Sequence, residues 1–213
     1  MQFTVKVAMA ALISIGICAR TSKAIESLQP LAVTVCMSWD SAAPVSATRA
    51  QEIAGRMFGR IGVALDWRRA CRNCPAEAIV VALTTNTPKA LLPGALAYAL
   101  PYEGTHIDVF FDRVHERALH QIDLERDLLA HVLVHEITHI LKGTDGHSDS
   151  GVMKARWDQK DFDQMRGNGL AFTPKDVNLI RSGMVARAAH SPSGIAAAID
   201  HHNWDRSLFG ERP

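Results

Sequence analysis

The chain has no basic or acidic block, few aromatic residues and no internal repeat. Lysine and arginine number 23 against 22 aspartates and glutamates, a net charge of +1, and aromatic residues make up only 6%. A nucleic-acid surface needs clustered cations interleaved with aromatic rings, so no nucleic-acid partner is expected. A long apolar run is missing too. Residues 7–18 are the strongest candidate and are too short to span a bilayer. With Lys6 before them and Ser22-Lys23-Ala24 after them, residues 1–24 read as a secretory signal. Ile17 in front of Cys18 argues against a lipoprotein signal. The protein is therefore expected to be exported, secreted or periplasmic, with no stable membrane span once the signal is removed.

Cysteine is scarce: four occur, and Cys36, Cys71 and Cys74 remain after processing. An odd count in an exported chain allows one disulfide and one free thiol. Cys71-Arg72-Asn73-Cys74 lacks a thioredoxin-like context, and a structural zinc site would need another pair of ligands. A disulfide tying down the turn before a strand at 78–84 is the preferred reading, with pairing among the three thiols left open.

What the chain does have is His135-Glu136-Ile137-Thr138-His139, set in its most apolar helical stretch. Residues 123–142 read as one helix, with Asp123 as N-cap, Glu125 and Asp127 near the start and Gly143 as the stop. Apolar residues cover most of its circumference, which marks a buried helix. The exceptions, His131, His135, Glu136, Thr138 and His139, fall within one arc of roughly 160°. Buried polar groups must be satisfied, and a metal ion does this for two imidazoles four residues apart. Glu136 then lies close enough to serve as general base toward water at the metal. His131, one turn earlier, reads equally as a support for that shell or as a hydrogen-bonded core histidine.

After Gly143 come His147-Ser148 and Gly151-Val152-Met153-Lys154-Ala155-Arg156-Trp157. Together with the helix motif, this stretch resembles the metzincin-type zinc peptidases. It is more similar still to a set of uncharacterised, secreted bacterial zincin-like proteins, whose helix reads His-Glu-Ile-x-His-Leu-Leu-Leu-Gly before His-Ser and Gly-x-Met-x-Ala-x-Trp. The resemblance implies a zinc ion, a third ligand after the glycine, and a Met-turn at Met153. Met153 also reads as an ordinary core methionine. The metzincin spacing is not kept. Lys142 stands where that pattern has its glycine, and the ligand slot falls on Asp145 or Gly146 according to the starting point. His147 is the preferred third ligand, because neutral imidazole suits zinc and the His-Ser pair matches the zincin-like set. Asp145 is the second choice, and Asp158, Asp161 or Asp163 from a second helix the third.

Ahead of the motif, strand and helix signals alternate. Strands are expected at 31–37, 63–67 and 78–83, a helix at 47–61, and two further strand-like runs at 96–100 and 106–111. Pro93 and Pro101 suit an edge strand. A helix over 175–189 should start at Pro174 with Thr173 as cap. Residues 25–190 are expected to form one zincin-like domain. Its fold class is α+β, with a twisted mixed sheet packed on the buried motif helix, then a Met-turn-like loop and a C-terminal helix. Residues 191–213, with His201 and His202, read as a loosely held tail.

The function expected is a secreted zinc-dependent metallopeptidase, a hydrolase acting on peptide or protein substrates. His135, His139 and His147 would bind the metal, and Glu136 would be the catalytic base. The substrate would lie along an edge strand supplied by 96–100 or 106–111. The alternative is a non-catalytic, zinc-binding zincin-like module.

Overall fold

The apolar segment 31–38, with β-branched Val33, Thr34 and Val35 at its centre, forms a strand that pairs on both sides. The computed structural model describes residues 31–39, 44–69, 74–99, 105–119 and 121–190. The expected signal and tail, including His201 and His202, lie outside the described residues. In chain order the elements are β1 (Leu31–Ser38), α1 (Pro44–Gly59), β2 (Val63–Arg69), β3 (Ile79–Thr84), β4 (Ala97–Ala99), β5 (His106–Phe110), α2 (Phe111–Arg117), α3 (Ile122–Lys142), α4 (Gln159–Met165) and α5 (Pro174–His190). The strands form one sheet in the order β2-β1-β3-β5-β4. The first four are parallel, and β4 runs antiparallel to β5 at the margin. The fold is α+β: a mixed sheet packed on a buried helix, then a loop carrying Met153, then a C-terminal helix.

Alternation along β1 sends Val35 and Met37 into the core with Phe58 of α1, Ile79 and Val81 of β3, and Leu128, Leu129, Leu133 and Ile137 of α3. Cys36 therefore faces the other side of the sheet, where it is fully buried and bonded to Cys74. Of the pairings left open among the three thiols, this is Cys36 with Cys74. Because β3 lies beside β1 rather than β2, the chain leading into β3 crosses close to Cys36. Cys71 lies outside the described residues.

The helices also depart from expectation in detail. α3 begins at Ile122, with Gln121 in the N-cap position and no side-chain cap. Asp123 sits inside the first turn and pairs with Arg126 instead. Gly143 ends the helix in the left-handed region at φ 65°, and its N–H donates to the His139 carbonyl. The run at 106–111 stops being a strand at Phe110 and continues straight into α2, a helix the sequence pattern did not suggest. Asp112 in its first turn accepts hydrogen bonds from the Thr87 N–H and hydroxyl, so a distant residue fixes this helix. β5 lies between β3 and β4, which leaves β4 as the edge and removes 106–111 as a candidate edge. At α5 the expected start holds: the Thr173 hydroxyl accepts from the Asp176 N–H, and the Asp176 carboxylate accepts back from Thr173. No described helix is long and apolar enough to cross a membrane.

Candidate metal centre

One helical turn separates His135 from His139, and their Nε2 atoms lie 3.1 Å apart. The far nitrogen of each ring is committed to the backbone. His135 Nδ1–H donates to the Val152 carbonyl and His139 Nδ1–H to the Thr144 carbonyl, each at 2.9 Å. A carbonyl accepts only, so each ring carries its proton on Nδ1 and presents a bare lone pair at Nε2. Burial, then the neighbouring histidines and Lys142, drive His135 down to about 3 despite its bond to Val152. Burial likewise lowers His139, and partial desolvation with the nearby Lys142 charge lowers His147. The facing nitrogens are thus two lone pairs turned toward each other, a contact that a cation between them makes favourable. Tetrahedral zinc with Zn–N bonds of 2.0–2.1 Å sets its ligand nitrogens roughly 3.3–3.4 Å apart. The observed spacing fits that ion closely.

His147 completes the group. Its ligand atom and those of His135 and His139 all lie within 4.8 Å of one another. His147 is exposed, on a loop held from behind. Lys142 Nζ donates to the Gly146 carbonyl at 3.0 Å and to Asp176 Oδ1 at 3.2 Å. The Ser148 hydroxyl donates to the same carboxylate, and the Ser148 N–H donates to the Met153 carbonyl at 2.8 Å. Asp176 is fully buried. One carboxylate therefore ties the end of α3, the loop bearing His147 and the start of α5 into a single bracket.

Glu136 projects from the same face of α3 into a cleft of about 660 Å³ that His135, His147, Leu96, Ala97 and Trp157 also line. No hydrogen bond or opposite charge offsets its burial among the described residues, and that burial raises it to about 7. A carboxylate poised there can take or give a proton near neutral pH. Trp157 stands edge-on to the His135 ring at 5.5 Å and walls the cleft.

Several candidates do not join the group. Asp145 is exposed and acts on His139 and His147 only through its charge. Asp158 and Asp161 form a capping box at α4 and both grip Lys154, while Asp163 pairs with Arg166. The Asp-x-x-Asp spacing could have signalled that cap. His131 is a core histidine, because its Nδ1–H donates to the Asp127 carbonyl and its Nε2 accepts from the Leu170 N–H. Thr138 bonds back to the Val134 carbonyl within the helix. Met153 is fully buried in the core behind the site. Sequence reasoning missed Lys142 and Asp176 as supports of the centre. The buried lysine at the end of an apolar helix was the available signal, since such a charge requires a partner.

No family model matches the chain, and no curated protein matches it. Among solved structures it is similar to the archaemetzincin of Methanopyrus kandleri, at 16% sequence identity and a TM-score of 0.45, over 72% of this chain and 96% of that one.

Proposed function

We propose that this chain is an exported zinc-dependent metallopeptidase that hydrolyses peptide bonds, with His135, His139 and His147 as metal ligands and Glu136 as general base. The observation that carries the reading is the convergence of three imidazoles beside a half-buried carboxylate, with both helix histidines fixed in the tautomer that bares the Nε2 lone pair. An all-imidazole set suits zinc among the common divalent ions. When bound, zinc supplies Lewis acidity, acidifying water and polarising a carbonyl. Glu136, raised to about 7, takes a proton from the attacking water and returns it to the departing amine. β4, the outermost strand on its side of the sheet among the described residues, offers main-chain hydrogen bonds to an extended peptide, and Leu96 and Ala97 bring that edge to the cleft. Export is supported by the signal-like residues 1–24 and by the Cys36–Cys74 disulfide.

Glu136→Gln tests the reading. The variant keeps side-chain volume but loses the basic oxygen, so zinc content and melting temperature should match wild type. Peptide hydrolysis should drop by about two orders of magnitude or more. Equal hydrolysis by the variant would overturn the assigned role. A wild type that holds zinc but cleaves nothing in a broad peptide library would instead establish the non-catalytic zinc-binding module.

A further inference from the structure

The cleft beside the histidines is lined by three cationic side chains, Arg117, Lys154 and Arg156, and by one carboxylate, Glu136. Lys154 is taken up by two carboxylates, Asp158 at 2.7 Å and Asp161 at 2.6 Å, which more than offset its charge. Arg117 and Arg156 are exposed and have no carboxylate partner among the described residues. Nearby arginines differ. Arg113 donates to the carbonyls of Pro88, Leu91, Leu92 and Ala95, and Arg166 pairs with Asp163.

The two free guanidinium groups reach the cleft from different elements. Arg156 lines the cleft from the loop after Met153, next in sequence to Trp157, whose ring packs edge-on to His135. Arg117 ends α2 and lies 5.7 Å from the Phe162 ring centre, a cation–π contact that steadies the group while leaving its N–H donors uncommitted. It also lines a second hollow that shares Pro93, Gly94, Leu96 and Phe162 with the first, so it stands where the cleft runs on past the edge strand.

We infer that the cleft selects peptides with acidic side chains flanking the bond presented to the histidines, with Arg156 and Arg117 as the recognising groups. The inference rests on the peptidase reading and adds its substrate class. A guanidinium fork matches a carboxylate in two parallel hydrogen bonds, and the same two charges repel lysine- or arginine-rich peptides. Both groups are open to solvent, so the preference is sensitive to salt.

The test profiles cleavage of a peptide library by the full mature protein with zinc bound. Aspartate and glutamate should be enriched around the cleaved bond. Arg117→Glu and Arg156→Glu should each lower kcat/KM on an acidic peptide about tenfold, chiefly through KM, with zinc content unchanged. Arg117→Lys should restore most of that loss, and the double reversal should shift preference toward lysine-containing peptides. Cleavage indifferent to peptide charge in all these proteins would overturn the inference and leave the peptidase reading standing. Binding of a fluorescein-labelled acidic peptide to Glu136→Gln, read by anisotropy, separates the remaining cases. Binding lost on Arg117 or Arg156 reversal, in a protein whose wild type cleaves nothing, would support charge selection and overturn the peptidase reading. Absence of both binding and cleavage would overturn both.

Discussion

Asp176→Asn perturbs the bracket behind the candidate metal centre without touching a ligand. Asp176 is fully buried and accepts from Ser148, Thr173 and Lys142, whose side chain is only 3% exposed. Removing one charge of a buried pair strands the other, at a cost of about 3–5 kcal/mol. Asparagine keeps an oxygen for Thr173 or Ser148, so the lower end is expected: about 3 kcal/mol, or roughly 6–12 °C in melting temperature. The assay is urea unfolding of the chelator-treated protein, so that zinc binding does not contribute. Lys142→Met in the Asp176→Asn background should recover much of the loss, because no charge is then left buried. A single-variant effect below about 1 kcal/mol would refute the reasoning, since a buried unpaired ammonium cannot be that cheap. In the zinc-loaded protein, slackening of Ser148 should also weaken metal binding by about tenfold, read by chelator competition.

The same carboxylate predicts a pH dependence. Burial pushes Asp176 up, but bonds from Thr173 and Ser148 and the Lys142 charge outweigh it and hold the group below its usual 3.8. A carboxylate whose folded value is depressed contributes its stability in full above the unfolded value, and that contribution is lost as pH falls through the folded one. Wild type should therefore lose stability on acidification below about pH 4, and Asp176→Asn should lose less over the same window.

His139→Ala should abolish zinc binding, because two remaining ligands hold the ion poorly, and full occupancy by metal analysis would remove the helix motif from the site. His147→Ala should weaken zinc at least about tenfold and Asp145→Ala less. The reverse order in chelator competition would make Asp145 the ligand. Reducing the Cys36–Cys74 bond, which closes a loop across 38 positions, should cost about 4 kcal/mol in denaturant unfolding. No change with reductant would place both cysteines as free thiols.

Legibility in the sequence followed the range of the forces involved. α3 was readable because periodicity, an apolar circumference and a terminal glycine are local signals, and the spacing of His135 and His139 fixes their common face whatever surrounds the helix. α2 and α4 were not, since each has seven residues and owes its place to contacts such as Asp112 with Thr87. The acidic cluster at 158–163 looked like a ligand reserve because sequence shows charge but not its partner. Lys154, which takes two of those carboxylates, lies on the loop before them. Disulfide pairing depended on strand order: only once β1 is flanked by β2 and β3 does Cys36 come within reach of Cys74. Arg117 and Arg156 are ordinary surface arginines in sequence, and they share a cleft only because α2 and the loop after Met153 meet beside α3.

The offset from metzincin spacing has a physical account in Lys142. A glycine at that position would turn the chain one residue sooner, and the count to a third ligand would then fall on Asp145. With lysine there, α3 runs one residue further and Gly143 makes the turn. The count from Gly143 falls on Gly146, which has no side chain to offer, and one further residue of loop brings His147 beside His135 and His139. Lys142 also holds that longer loop, since its ammonium donates to the Gly146 carbonyl one residue before His147. A cation so close to three imidazoles would oppose a divalent ion if left alone. Asp176 offsets it at 3.2 Å and binds Ser148 on the other side of His147. Lysine, aspartate and serine thus act as one device: the lysine shapes the turn, the aspartate offsets its charge, and the serine links that charge to the loop. Lys142→Gly should accordingly do more than lose an ion pair. It should free the loop bearing His147 and leave Asp176 buried without its cation, lowering zinc affinity and stability together. Retention of both would show that the loop holds its shape without the lysine.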